Sequence, residues 1–142
     1  MTMETVRVSI ETYFRNGWGN LSVIFFENDK IVPPAETYVA TALLKTGAQQ
    51  ASIGAARNRY RHYYTWQIDI YAPESAGMKS SNIIDQKIRD MFTGLVLTTT
   101  DGESINFLSA PDPRSLGFKN SRYRTLVRCP LYSDQLRARA TP

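Results

Sequence analysis

Tyr60-Arg61-His62-Tyr63-Tyr64-Thr65-Trp66-Gln67-Ile68-Asp69-Ile70-Tyr71 is the stretch that decides the fold. Tyr64, Trp66, Ile68 and Ile70 alternate with Thr65, Gln67 and Asp69. A period of two puts apolar side chains on one face of a strand and polar ones on the other. The strand ends at Ala72-Pro73, because proline cannot donate to a ladder. A sheet with one buried face needs a layer to cover it, and the two segments of helical period on either side of this strand supply one.

The first such segment is Glu4 to Asn16, where Val6, Ile10 and Phe14 recur every four residues and Arg7, Glu11 and Arg15 face away. Gly17-Trp18-Gly19-Asn20 stops it. The second is Asn82 to Phe92, with Ile84, Ile88, Met91 and Phe92 as its stripe, Ser80 or Ser81 as its cap and Gly94 at the left-handed C-terminal position. Leu21 to Phe26 and Glu36 to Thr46 read as strands around a Pro33-Pro34 spacer. Tyr38, Ala40, Ala42 and Leu44 fall on one face of the longer strand, Val39 and Leu43 on the other.

Gly47 to Arg59 has no clear period and reads as a long loop, of a length that is often functional. Leu95 to Thr100 and Glu103 to Leu108 read as a hairpin on a two-residue Asp101-Gly102 turn, which sets Val96 against Phe107 and Thr98 against Ile105. Pro111-Asp112-Pro113 breaks the chain, residues 121 to 131 form the last strand, and Ser133 to Pro142 reads as a polar, mobile tail. The expected architecture is α+β: a mainly antiparallel β-sheet, whole or split in two, with two helices packed on one face, in a single domain over residues 1–132 followed by a tail over 133–142. Two helices do not easily cover both faces of six strands, so a face or an edge is left for a partner.

The chain has 142 residues, enough to bury about 70% of its unfolded surface around one core. Its start lacks a basic segment followed by an apolar run, so no signal peptide is expected, and no stretch reads as a membrane span. The single cysteine, Cys129, excludes a disulfide within the chain, and one histidine, His62, leaves too few soft ligands for a structural zinc site. No phosphate-binding glycine loop is present. Cys129 alternates onto an apolar face and reads as a buried thiol, and His62 as a strand residue without a catalytic role. Asp85 and Asp90 sit five apart on a helix and read as surface charges. No catalytic residue, metal ligand or cofactor is expected.

Charge is the informative remainder. Net charge is +4, and arginines outnumber lysines by 12 to 5. Arg57, Arg59 and Arg61 alternate beside Tyr60, Tyr63 and Tyr64, and Arg122, Arg124 and Arg128 line one face of the last strand with Leu126. Such patterns solubilise a surface, grip a nucleic-acid backbone or pair with carboxylates of a neighbour. A strand face of arginines is awkward in a monomer unless neighbours supply acids.

The order of landmarks resembles the tail-terminator, or tail-completion, proteins of long-tailed phages. The resemblance runs over about residues 4 to 132. It rests on Phe14-Arg15 followed by Trp18, on Gln49-Gln50-Ala51-Ser52-Ile53-Gly54, and on the basic Arg57 to Arg61. Ile68-Asp69-Ile70-Tyr71-Ala72-Pro73 with Gly77 and a closing Tyr123 to Tyr132 complete it. His62-Tyr63 departs from the pattern, which has a small residue after the basic pair. The resemblance implies a homohexameric ring at the head-proximal end of the tail. It would stop tube polymerisation, contact the tail tube protein and the head-completion or neck protein, and assemble in the host cytoplasm, with DNA passing its lumen. It carries no catalytic residues. The residues expected at a subunit or tube contact are Gln49, Gln50, Ser52, Ile53, Gly54, Arg57, Arg59, Arg61, Arg122, Arg124 and Arg128. Another neck or stopper protein, and a nucleic-acid-binding module using residues 57–64, are the alternative expectations.

Overall fold

The computed structural model describes residues 3–27, 29–50, 57–73, 77–99, 102–108, 111–119 and 122–138. Helix α1 spans Met3–Trp18. Glu4 in its first turn and Arg15 in its last complement the helix dipole. Arg7 donates to both Glu4 and Glu11 along its outer face. The helix outlasts the expected Asn16 because Trp18 continues the buried stripe of Val6, Ile10 and Phe14, and its indole N–H donates to Ser22 Oγ at 3.1 Å. Gly19, at φ 63°, then turns the chain.

Helix α2 spans Gly77–Phe92 and starts earlier than the serines predict. Ser80 and Ser81 lie inside it and tie it to its surroundings instead: Ser80 Oγ is 2.7 Å from Thr37 Oγ1, and Ser81 Oγ is 3.0 Å from Thr125 Oγ1 in the interior. Gly94, at φ 67°, ends the helix as its spacing predicts.

The strands are β1 (Val23–Phe25), β2 (Tyr38–Gln50), β3 (Arg57–Pro73), β4 (Val96–Thr98), β5 (Ser104–Phe107), β6 (Asp112–Lys119) and β7 (Arg122–Ala138). They form one sheet in the order β1-β2-β3-β7-β5-β4, and β6 pairs with the first half of β7 on the side where β5 pairs with its middle. Every pairing is antiparallel except β1 with β2. The fold is α+β, with a mostly antiparallel sheet that is not split.

Register fixes the two faces. Leu43, Trp66 and Cys129 lie abreast, as do Thr41, Ile68 and Val127. These positions are buried and, with Tyr64, Ile70, Ile105, Phe107 and Leu131, form one core with the stripes of both helices. Phe14 is its hub: its ring lies 4.7 Å from Trp18, 6.2 Å from Trp66 and 5.9 Å from Phe92, centroid to centroid. Tyr13 at the core's rim donates its hydroxyl to the Met91 carbonyl at 2.7 Å. The opposite face carries Ala40, Ala42, Thr65, Gln67, Asp69 and the even positions of β7, and no described helix covers it.

Four expectations are corrected. The loop over 47–59 shrinks, because β2 runs on to Gln50 and β3 begins at Arg57, with a bulge between Lys45 and Gly47. The polar tail does not begin at Ser133. Residues 133–138 continue β7, where Ser133 is fully buried under β5 and Asp134 is ion-paired. The break at Pro111-Asp112-Pro113 instead opens the seventh strand, β6, as an edge strand tolerates proline. The hairpin register also slips: Val96 faces Asn106, Leu97 faces Ile105 and Thr98 faces Ser104. Thr99 N–H donates to the Glu103 carbonyl and Gly102 N–H to the Thr99 carbonyl, with Gly102 at φ 80°.

β2, β3 and β7 outrun the helical layer together. Tyr60 to Tyr63 are all half-buried, in contrast to the core positions that follow them. The segments 47–50, 57–62 and 134–138 therefore make a three-stranded arm. The open edge of β2 is capped at its middle, where the Glu27 carboxylate accepts the N–H of Leu43.

Candidate functional site

The arm and the uncovered sheet face bring together most of the residues singled out in the sequence. Gln49 and Gln50 close β2, in register with Arg61 and Tyr60. Arg57 and Arg59 open β3, in register with Ala138 and Leu136. Ser52, Ile53 and Gly54 lie outside the described residues. Arg61 stands opposite Asp134, and Arg122, Arg124 and Arg128 occupy even positions of β7 on the same face. The two arginine runs that are far apart in sequence thus form one surface.

The expectation that these arginines need acids from a neighbour is overturned for three of them. Arg61 donates to both oxygens of Asp134, at 2.9 and 3.2 Å, and lies 4.1 Å over the Tyr132 ring. The bond to Asp134 holds the guanidinium pKa above even its ordinary high value, so Arg61 stays charged throughout. Arg124 donates to Asp69 at 3.2 Å and sits 5.7 Å from the Tyr71 ring centre. Arg122 caps the carbonyls of Pro34 and Glu36 and stacks 5.0 Å over Tyr38, which itself stacks on Tyr71 at 4.9 Å. Desolvation raises the Tyr71 hydroxyl pKa, and neighbouring Asp69 adds to the rise. Arg128 is exposed and has no ion pair among the described side chains.

The acids and rings that hold these arginines were not legible beforehand. Asp134 is 73 residues from Arg61, in a stretch whose polarity predicts a tail. The one available signal was the alternation of tyrosine with arginine, which is what cation–π pairing across strands requires. Each pair is partly solvated and contributes on the order of 0.2–1 kcal/mol. Their effect is to fix where the charges point.

Clefts open on the surface of the described residues. One of about 570 Å³ lies between Gly19–Val23, Glu36, Thr37 and Ser80, and an adjoining one of about 280 Å³ is lined by Leu21, Lys79, Ser80, Ile83 and Ile84. In the first, the hydroxyls of Thr37 and Ser80 bond each other and not a base. The third, about 450 Å³, lies beside Arg61, Asp134 and Tyr132 against Glu103, Ser104 and Asn106. Among the described residues no three His, Cys, Asp or Glu side chains cluster as metal ligands would. No described helix is long and apolar enough to cross a membrane.

His62 lies within β3 and is half-buried. Asp85 pairs with Arg89 at 3.3 Å, and Asp90 accepts from Gln86 at 2.9 Å. Cys129 is fully buried in the core, and its desolvation pushes the thiol pKa far up. A thiol reagent such as Ellman's should accordingly leave the native protein unmodified and titrate one thiol per chain in denaturant. Rapid reaction under native conditions would contradict this placement.

No family model matches the chain, and no curated protein matches it. Among solved structures, one superposes over 100% of this chain and 99% of its own, with a TM-score of 0.71 at 16% sequence identity. It bears a serial identifier in place of a functional name. At that identity the likeness concerns the fold alone.

Proposed function

We propose that the protein is a structural subunit of a phage tail, a tail terminator that forms a homohexameric ring at the head-proximal end of the tube. There it stops tube polymerisation and offers a surface to the head-completion or neck protein. Two independent lines support this reading. One is the ordered series of sequence landmarks shared with tail-terminator proteins over about residues 4 to 132. The other, the single observation that carries most weight, is that two helices cover one sheet face while no described helix covers the other face. A closed ring uses two different patches per subunit, one meeting the other on the next copy. An arm that projects beyond the core at one end, and a bare face with short outer strands at the sides, supply two such patches.

The decisive measurement is direct. Electron microscopy and native mass spectrometry of tails from virus-producing cells should place this chain at the upper tail end in a ring of fixed copy number. Tails made without it should vary in length and fail to join heads. Tails of normal length that join heads without this chain would refute the reading. A monomer in dilute solution is compatible with it, since ring closure on the tube raises the effective concentration of each neighbour.

A further inference from the structure

The strand register concentrates positive charge on the sheet face that no described helix covers. On the bare sheet face, Arg61, Arg114, Arg122, Arg124 and Arg128 stand against Asp69 and Asp134, and the strand positions of Lys119 and Asp112, in register with Arg122 and Arg128, add one charge of each sign. Arg57 and Arg59 occupy strand positions that continue the same alternation along β3. The helical layer is nearly balanced by comparison: Arg7, Arg15, Lys79, Lys87 and Arg89 against Glu4, Glu11, Asp85 and Asp90. Since the whole chain carries +4, this face holds most of the excess.

We infer that the uncovered sheet face binds the phosphate backbone of duplex nucleic acid, without reading its bases. The charges run in a line along β7 and β3 and do not ring an apolar centre. From Arg124 to the level of the Arg61–Asp134 pair is ten residues of β7, on the order of 33 Å. That is about one helical turn of a DNA duplex. The apolar positions of this face, Ala40, Ala42, Leu44 and Pro130, are small or lie toward β2, and Leu126 is already buried, so the line of arginines along β7 is its dominant feature. Most aromatic rings here are engaged: Arg61 covers Tyr132, which Tyr63 meets at a tilt, Arg122 covers Tyr38, and Tyr38 and Tyr71 cover each other. Rings so occupied do not stack on splayed bases, which is how single strands are held. What the face presents outward is fixed guanidinium charge. The inference stands apart from the ring reading, since it needs one copy of the chain and no virus.

Fluorescence anisotropy of a labelled 24-base-pair DNA duplex against the full chain tests it. Binding should be insensitive to sequence, and log K should fall linearly with log salt, by about 0.9 per phosphate contacted. Arg114→Ala with Arg128→Ala, both at exposed strand positions, should weaken binding by at least about tenfold at low salt and flatten that slope by about two. Lys79→Ala with Lys87→Ala on α2 should leave both unchanged. An unaltered thermal midpoint shows that each pair still folds. No binding at 50 mM salt, an unchanged slope in the Arg114/Arg128 pair, tighter binding of a single strand, or equal binding of polyglutamate would each overturn the assignment. The last outcome would mark an acidic protein as the occupant.

Discussion

Phe14→Ala lowers the free energy of unfolding by about 3–5 kcal/mol, the range expected when a fully buried aromatic side chain is cut back to a methyl group. Phe14 is wholly inaccessible, and its ring touches four others, Trp18, Phe26, Trp66 and Phe92, which come from α1, the segment after β1, β3 and α2. No one of these can move into the void without losing its own contacts. Urea unfolding followed by tryptophan fluorescence reads the effect directly, as a lower midpoint at unchanged slope. Phe14→Leu should recover a large part of the loss. A cost below about 1 kcal/mol for the alanine variant would mean that the helical layer is not seated on the sheet as described.

The second large effect lies in assembly. Arg57→Ala, Arg59→Ala and Arg61→Ala together remove the basic run of the arm. Of these, Arg61 has a described partner, Asp134, and both side chains of that pair are partly solvated. Its loss therefore costs roughly 1 kcal/mol or less in stability. Arginines at assembly contacts are worth about 2 kcal/mol each when they are anchors. The triple variant should fold with a near-native thermal midpoint yet reduce the yield of tails of uniform, head-joined length by at least about tenfold. Scoring tail lengths and head-joined particles in electron micrographs decides it: a normal distribution excludes the arm from assembly.

How far the sequence could be read depended on which force shaped each element. The core strand over 60–71 and both helical stripes were legible because burial imposes a strict period, and Val6, Ile10, Phe14, Trp66, Ile68 and Ile70 are all fully buried. The ends of β2 and β7 were not. Gln49, Gln50 and Ser133 to Ala138 lie in strands with little of the apolar alternation that marks one, and their reward is ladder pairing and the Arg61–Asp134 bond. β6 was hidden for a different reason. Pro113 and the bulge at Ser115/Gly117, with Gly117 at φ 77°, disturb the alternation that would announce a strand. The arginines were visible as a pattern, but Asp69, Asp134 and the tyrosine rings that hold them depend on long-range register, which local periods do not encode.

The place of β7 between β3 and β5/β6 has a consequence for how the molecule is made. β3 obtains one neighbour, β2, from chain that precedes it, but its other neighbour consists of residues 122–138, and Arg57 closes against Ala138. On the ribosome, the central strand must wait with one edge unsatisfied until the closing segment emerges, so this topology folds late and nearly all at once. During that interval the nascent sheet is exposed to strand-adding contacts with other copies. Slowed synthesis through residues 74–121 should lengthen that window and raise the demand for chaperones, whereas slowing after residue 138 should not.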